Sequence, residues 1–295
     1  MEKSMINWKA YLAVIGLVVA WSSSMVAGKY LFSHYPLYVG VFLRMAFAAL
    51  AFLALRGRWR EVRVKTADWK WLILMGLCDP CLYLTFEARA LVLTSASQAG
   101  VVSATAPLIT AVCAALFLKE KLSLTTVCGF LIAFGGVAGM SLLSPETDAA
   151  APNPFLGNLL EFIAIFWGAV FVICAKRLSA NYPPLFLAFV TTICGLVYFL
   201  PPALWSPFWQ DPFFSLKAML AALYLALAVT VAGMFCMNYS LRKFTAGQVA
   251  AALNLVPVVT LFLGHYCLGE NLNWPQYALC AVVLAGTIMT QRRIG

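Results

Sequence analysis

Charge is what this sequence has least of. Only 11% of its 295 residues are charged, 63% are hydrophobic, and the mean hydropathy is +0.89. A soluble domain is near half apolar and about a quarter charged, so the polar surface here is too small to cover a globule in water. That shortage excludes a soluble enzyme, a nucleic-acid-binding protein and a disordered chain. Long polar stretches are missing too. The longest, at 56–67, 144–154 and 205–215, leave no room for a soluble domain between apolar runs. No G-x-x-x-x-G-K-[ST] loop is present, which excludes ATP hydrolysis by the chain itself. The nine cysteines are odd in number and nearly all lie in apolar runs, where thiols act as small hydrophobes and not as a disulfide framework. Cys78-Asp79-Pro80-Cys81 has CxxC spacing but no second pair and no nearby His, so no metal or cofactor is expected.

What is there is a series of long apolar runs. About 20 apolar residues cross the hydrocarbon core as a helix, and unbroken runs without two-residue alternation argue against barrel strands. Ten spans are predicted, at 10–32, 37–55, 70–91, 95–118, 123–143, 156–178, 183–204, 217–240, 245–268 and 272–290. The first is too long for a signal peptide and is read as a retained helix. The expected fold is an all-α polytopic membrane protein whose first partner is the lipid bilayer.

The basic residues set the orientation. The net charge is +9, and with a cytoplasmic N-terminus 16 of the 20 Lys and Arg fall on the cytoplasmic side. Only Lys29, Arg44, Arg89 and Lys217 lie in spans or toward the outside, and 144–154 holds only acids. Ten spans with both termini cytoplasmic satisfy the positive-inside rule.

The chain also repeats itself. Ala106-Pro107-Leu108-Ile109-Thr110 recurs as Val256-Pro257-Val258-Val259-Thr260, and Leu118-Lys119-Glu120-Lys121-Leu122 as Leu268-Gly269-Glu270-Asn271-Leu272, both at an offset of 150. Lys29-Tyr30-Leu31 matches Lys176-Arg177-Leu178 at an offset of 147. The expected domains are two five-helix halves, 1–147 and 148–295. Five is odd, so the second half enters the membrane inverted, an arrangement suited to alternating access.

A proline in the fourth span, then a Gly/Lys-Glu-x-Leu turn into a glycine-bearing fifth span, repeated in the second half, resembles the EamA domain. Two such domains and ten spans resemble the drug/metabolite transporter superfamily over essentially the whole chain. The resemblance implies a multi-pass carrier of the bacterial inner membrane, often an exporter of amino acids or related small metabolites. It names no particular substrate.

Ionisable groups at membrane depth are costly and usually face protein or a wet cavity. Asp79, mid-span beside Pro80, can exchange a proton or pair with a cationic substrate. Glu87, Arg89, Arg44 and His265 are candidates for coupling or gate pairing. Glu161 and Lys29 sit near span ends, where they are expected to snorkel. Trp21-Ser22-Ser23 and Trp167 occupy corresponding places in the two halves. With Asp79, Tyr83, Gln98, Asn238, Tyr239, Gln248 and Asn254 they form the candidate substrate cavity, since aromatic walls with a few polar groups suit small organic ligands. Pro80, Pro107 and Pro257 are candidate kinks. Gly135 and Gly139 form a GxxxG for helix packing, within the chain or in a homodimer.

These residues favour a gradient-driven carrier of a small molecule, with proton coupling through Asp79, over a membrane-embedded lipid or prenyl transferase. The transferase needs clustered acids for a metal–diphosphate, and Asp79 has no acidic neighbour in sequence. An importer of a nucleotide-like metabolite and a channel are the remaining alternatives.

Overall fold

The computed structural model describes residues 8–58, 61–106, 108–110, 112–113, 124–142, 151–244, 249, 252–253, 255–270 and 272–291. Every regular element among them is helical. Among the described residues, six helical stretches are long and apolar enough to cross a membrane, and Val256–Leu268 and Trp274–Gly286 are shorter apolar helices. The chain is a polytopic membrane protein. A helix bonds its own backbone internally, and hydrocarbon offers no other partner.

In the first half, α1 (Trp8–His34) and α2 (Leu37–Ala54) form an antiparallel pair joined by two residues. The face reached by the end of α1 is termed the far face, and the one where α1 begins the near face. The third stretch is α3 (Trp69–Gly76), a widened π turn over Leu77–Leu82, and α4 (Tyr83–Leu93); α5 (Ala96–Ser103) and α6 (Leu124–Leu142) follow. The second half brings α7 (Pro154–Ser179), α8 (Pro184–Leu204) and α9 (Leu216–Tyr224). A second π turn, Leu225–Gly233, leads into α10 (Met234–Lys243), followed by α11 (Val256–Leu268) and α12 (Trp274–Gln291).

Both halves interrupt the helix that follows their long polar connection. In the first half the cause is local. Proline lacks an N–H and forces its predecessor out of the helical region, and Asp79 is extended, with φ −140° and ψ 119°. The ring of Pro80 fits against α8 at Gly195, where a side chain would collide with it and with Met45 Sδ. The turn in α9–α10 contains no proline.

The two halves meet tightly at the far face. The Glu270 carboxylate, just beyond α11, accepts the backbone N–H of Ala96 and of Ser97, each at 2.9 Å. An acid at a helix N-terminus satisfies orphan donors and complements the dipole. Asn153 N donates to Leu93 O (3.0 Å), and Thr94 Oγ1 donates to Asn158 Oδ1 (3.0 Å). Asn158 Nδ2 in turn donates to Gln98 Oε1 (2.9 Å). The starts of α5 and α7 and the end of α11 therefore share one face. Below this layer α5 packs on α11, and a Cβ on Gly100 would lie 2.6 Å from Thr260 Cγ2. At the near face, Lys176 Nζ donates to Leu241 O (2.7 Å) and Phe244 O (3.0 Å), holding α7 to the end of α10.

Two glycines of α6 serve packing inside the chain, whereas a Cβ on Gly135 would meet nothing within 4 Å. Gly136 abuts Val283 and the Leu279 carbonyl, and Gly139 abuts Leu279, so this surface is occupied by α12. Pro107 lies outside the described residues. Pro257 is the second residue of α11, after a turn at Leu255, where its missing N–H leaves no helical bond unmade.

Two outcomes follow from this packing. Gly100→Ala should destabilise the fold by about 1–3 kcal/mol through overpacking, seen as a lower Tm in detergent. Glu270→Ala should remove about 1–2 kcal/mol of capping and speed hydrogen exchange at the Ala96 and Ser97 amides, with Glu270→Gln intermediate.

Candidate functional site

Where the two helix breaks face each other, the bundle encloses a cavity of about 100 Å³. Both halves line it: Trp21, Ser24 and Met25 from α1, Arg44 from α2, Asp79 from the first break and Val229 from the second. Tyr83, Leu84 and Glu87 of α4, Ser103 of α5, and Ile165, Gly168, Ala169 and Val172 of α7 complete the upper wall. Met234, Met237 and Leu241 continue it toward the near face. The wall is mostly apolar with a few convergent polar groups, the usual character of a small-molecule site.

The polar groups hold one another. Arg44 Nε donates to Thr230 Oγ1 in the second break (2.9 Å). Its guanidinium also interacts electrostatically with Glu87 and Asp79. Tyr83 Oη donates to Glu87 Oε1 (3.1 Å), and the Tyr83 ring lies against Gly168, where a Cβ would come within 3.2 Å of it. Tyr83 and Glu87, four residues apart, share one face of α4, and Asp79 joins them in the lining from the break below. Arg44 and Asp79 are 8% and 6% exposed, so both charges are out of bulk solvent.

Of the predicted cavity residues, the structure brings Trp21, Asp79 and Tyr83 into the lining, together with Arg44 and Glu87. The others lie elsewhere. Ser22 Oγ donates to Val18 O (2.7 Å) and approaches Val256 O (3.2 Å), joining α1 to α11. Ser23 points away, with its Oγ 2.6 Å from Tyr224 Oη beside a separate groove between α1, α9 and α11. Trp167 packs edge-on against Phe166 at the margin of the core, while its neighbour Gly168 faces the cavity. Gln98 belongs to the Thr94–Asn158 network. Asn238 is buried and its amide donates to Met234 O (2.9 Å); Tyr239 stacks on Phe235. Arg89 turns outward to Tyr38, and exposed His265 bonds the Glu270 carbonyl (3.2 Å). Gln248 and Asn254 lie outside the described residues.

One snorkelling expectation is corrected. Glu161 is completely buried at 0% exposure, and its Oε1 accepts from Ser103 Oγ at 3.3 Å. Lys29 Nζ reaches Thr94 O, at the C-terminal end of α4, at 2.5 Å. Sequence reasoning also passed over Met25, Ser103 and Thr110. The spacing of 161, 165, 168, 169 and 172, a single helical face carrying Gly168, was the available signal for Glu161.

The sequence model of the EamA-like transporter family matches residues 8–142 and again 156–292. Among similar proteins, the uncharacterized transporter YetK of Bacillus subtilis is 24% identical over 95% of this chain and 86% of its own length. A probable terminal-alkyne amino-acid exporter of Streptantibioticus cattleyicolor is 25% identical over 97% and 94%. A solved crystal structure shares the fold, with a TM-score of 0.65 at 18% identity over 97% of this chain and 98% of that one. A family model matched in tandem, relatives named as transporters and a membrane-embedded helical bundle lead to one conclusion: this chain belongs to the EamA-like transporter family of the drug/metabolite transporter superfamily.

Proposed function

We propose that the protein is a secondary active carrier that exports a small organic metabolite, an amino acid or related compound, across the bacterial inner membrane. The observation that carries this reading is the cavity itself. It lies between two broken helices, one from each half, and Arg44 of the first half is bonded to Thr230 at the break of the second. In this reading the chain has ten spans in two inverted halves, 1–147 and 148–295, with both termini cytoplasmic. The far face is then periplasmic.

Several features support this reading. The far-face closure joins elements of both halves, as Glu270 grips the start of α5. Opening that closure while the near face closes would pass the cavity from one side to the other, which is alternating access. The cavity, about 100 Å³, is well below the ~300–1,000 Å³ of sites for drug-sized ligands. It suits a small metabolite. One relative is named as a probable amino-acid exporter, which favours that class and direction. Asp79 adjoins the break, interacts with Arg44 and is placed to link a proton to the movement of the helix.

Proteoliposomes should show saturable counterflow of a transported amino acid, with no chemical change in it. Asp79→Asn should slow that counterflow and shift its pH profile; an unchanged rate and profile would remove Asp79 from the coupling role. Trp21→Ala should weaken substrate binding by about tenfold, equivalent to about 1.4 kcal/mol. Trp167→Ala, outside the lining, should leave affinity within about twofold. Titration calorimetry on both variants separates the two tryptophans.

A further inference from the structure

The carboxyl group of Glu161 is the buried charge that the transport reading leaves unused. It projects from α7 on the face that carries Ile165, Gly168, Ala169 and Val172 into the cavity, one turn closer to the far face than Ile165. Glu161 itself lies behind the lining, and Ser103, which holds its Oε1, lines the cavity. Oε2 is buried and has no hydrogen-bond partner among the described residues. A fully buried carboxyl with one oxygen unsatisfied is costly unless a proton or a cation completes it.

The surroundings show which completes it. Arg44 lies seven residues from the start of α2, Glu87 six from the end of α4, Glu161 seven from the start of α7 and Ser103 seven from the start of α5. All four are therefore about 10 Å below the far face at 1.5 Å per residue. At this depth α4 brings Glu87 and Tyr83, the 77–82 turn below brings Asp79, α2 brings Arg44 and α5 brings Ser103. The cations of α3 and α10, Lys70, Arg242 and Lys243, are at the near-face ends of their helices, while α6 and α8 contribute only Cys128, Cys194 and Tyr198. Arg44 interacts with Glu87 and Asp79, whereas the charged group acting on Glu161 is another acid, Glu87. Two of the three carboxyl groups, Asp79 and Glu87, therefore share the Arg44 guanidinium, and Glu161 is left with Glu87.

We propose that Glu161, with Glu87 beside it, is a monocation subsite at the roof of the cavity, holding a proton when empty and exchanging it for the ammonium group of a cargo molecule. The exchange balances: one ammonium enters, one proton leaves the carboxyl pair for the cavity and then bulk water, and the net charge of the site is unchanged. No covalent bond of the cargo is altered. Asp79 keeps Arg44 as its countercharge and does not hold the cargo cation. This subsite rests on the cavity being the transport site, but its proton exchange can be measured without transport.

The probe is methylammonium chloride, added to the full-length protein in lipid nanodiscs near neutral pH, with sodium chloride as control. Infrared difference spectra should show a protonated-carboxyl C=O stretch that methylammonium removes and sodium does not. A weakly buffered sample should release about one proton per protein, and methylammonium affinity should rise by up to tenfold per pH unit, as a one-proton exchange requires. Glu161→Gln should lose both the band and the proton release, whereas Trp167→Ala, altered outside the lining, should retain them. Should Glu161→Gln fail to fold, Ser103→Ala, which keeps the carboxyl and removes its hydroxyl donor, should retain the release and move the pH at which it occurs. No methylammonium-sensitive band in the wild type, an equal response to sodium, or a band kept in Glu161→Gln would overturn the proposal. Proton release without any counterflow would uphold the subsite and reject the transport reading.

Discussion

A chain with so few charges in a solvent without hydrogen bonds must find a partner for each polar group within itself, and that requirement organises this molecule. It explains why helices are the described elements and why their ends carry the polar side chains. At the far face the exposed amides of α5 receive Glu270, the Thr94 carbonyl receives Lys29, and Gln98, Thr94 and Asn158 satisfy one another. Where a helix is broken inside the bundle, the same requirement draws in long side chains. Arg44 reaches Thr230 at the second break and feels the charge of Asp79 at the first, so it couples the two interruptions to one charge.

Small residues let these arrangements fit. Gly195 admits the ring of Pro80, Gly168 admits the ring of Tyr83, and Gly100 lets α5 lie against Thr260. In each case an absent side chain in one half makes room for a functional or structural group of the other. Cavity and closure are thus built from contacts between the halves, and a relative movement of the halves must change both together.

Hydropathy is a sum over some twenty residues, which is why the succession of apolar helices could be read from sequence. Depth along a helix was equally legible: Asp79, Tyr83, Glu87, Arg44 and Trp21 could all be assigned to the interior. Direction around the helix axis was not. Successive residues differ by about 100°, so Trp167 points to the margin while Gly168 faces the cavity, and of Ser22, Ser23 and Ser24 the last alone lines it. Glu161 was misplaced for the same reason: its closeness to a helix start suggested water, but its face of α7 turns inward to Ser103. Gln98 was assigned to the cavity by its polarity, whereas its helix-end position gave it a network of caps.

The Glu270 closure has a property that its hydrogen bonds confer. It grips main-chain amides, and those are the same whatever side chains occupy positions 96 and 97. Ala96 and Ser97 are themselves buried, with Ser97 Oγ packed against Gly264, so the bonds that satisfy the amides also fix how closely α5 and α11 can lie.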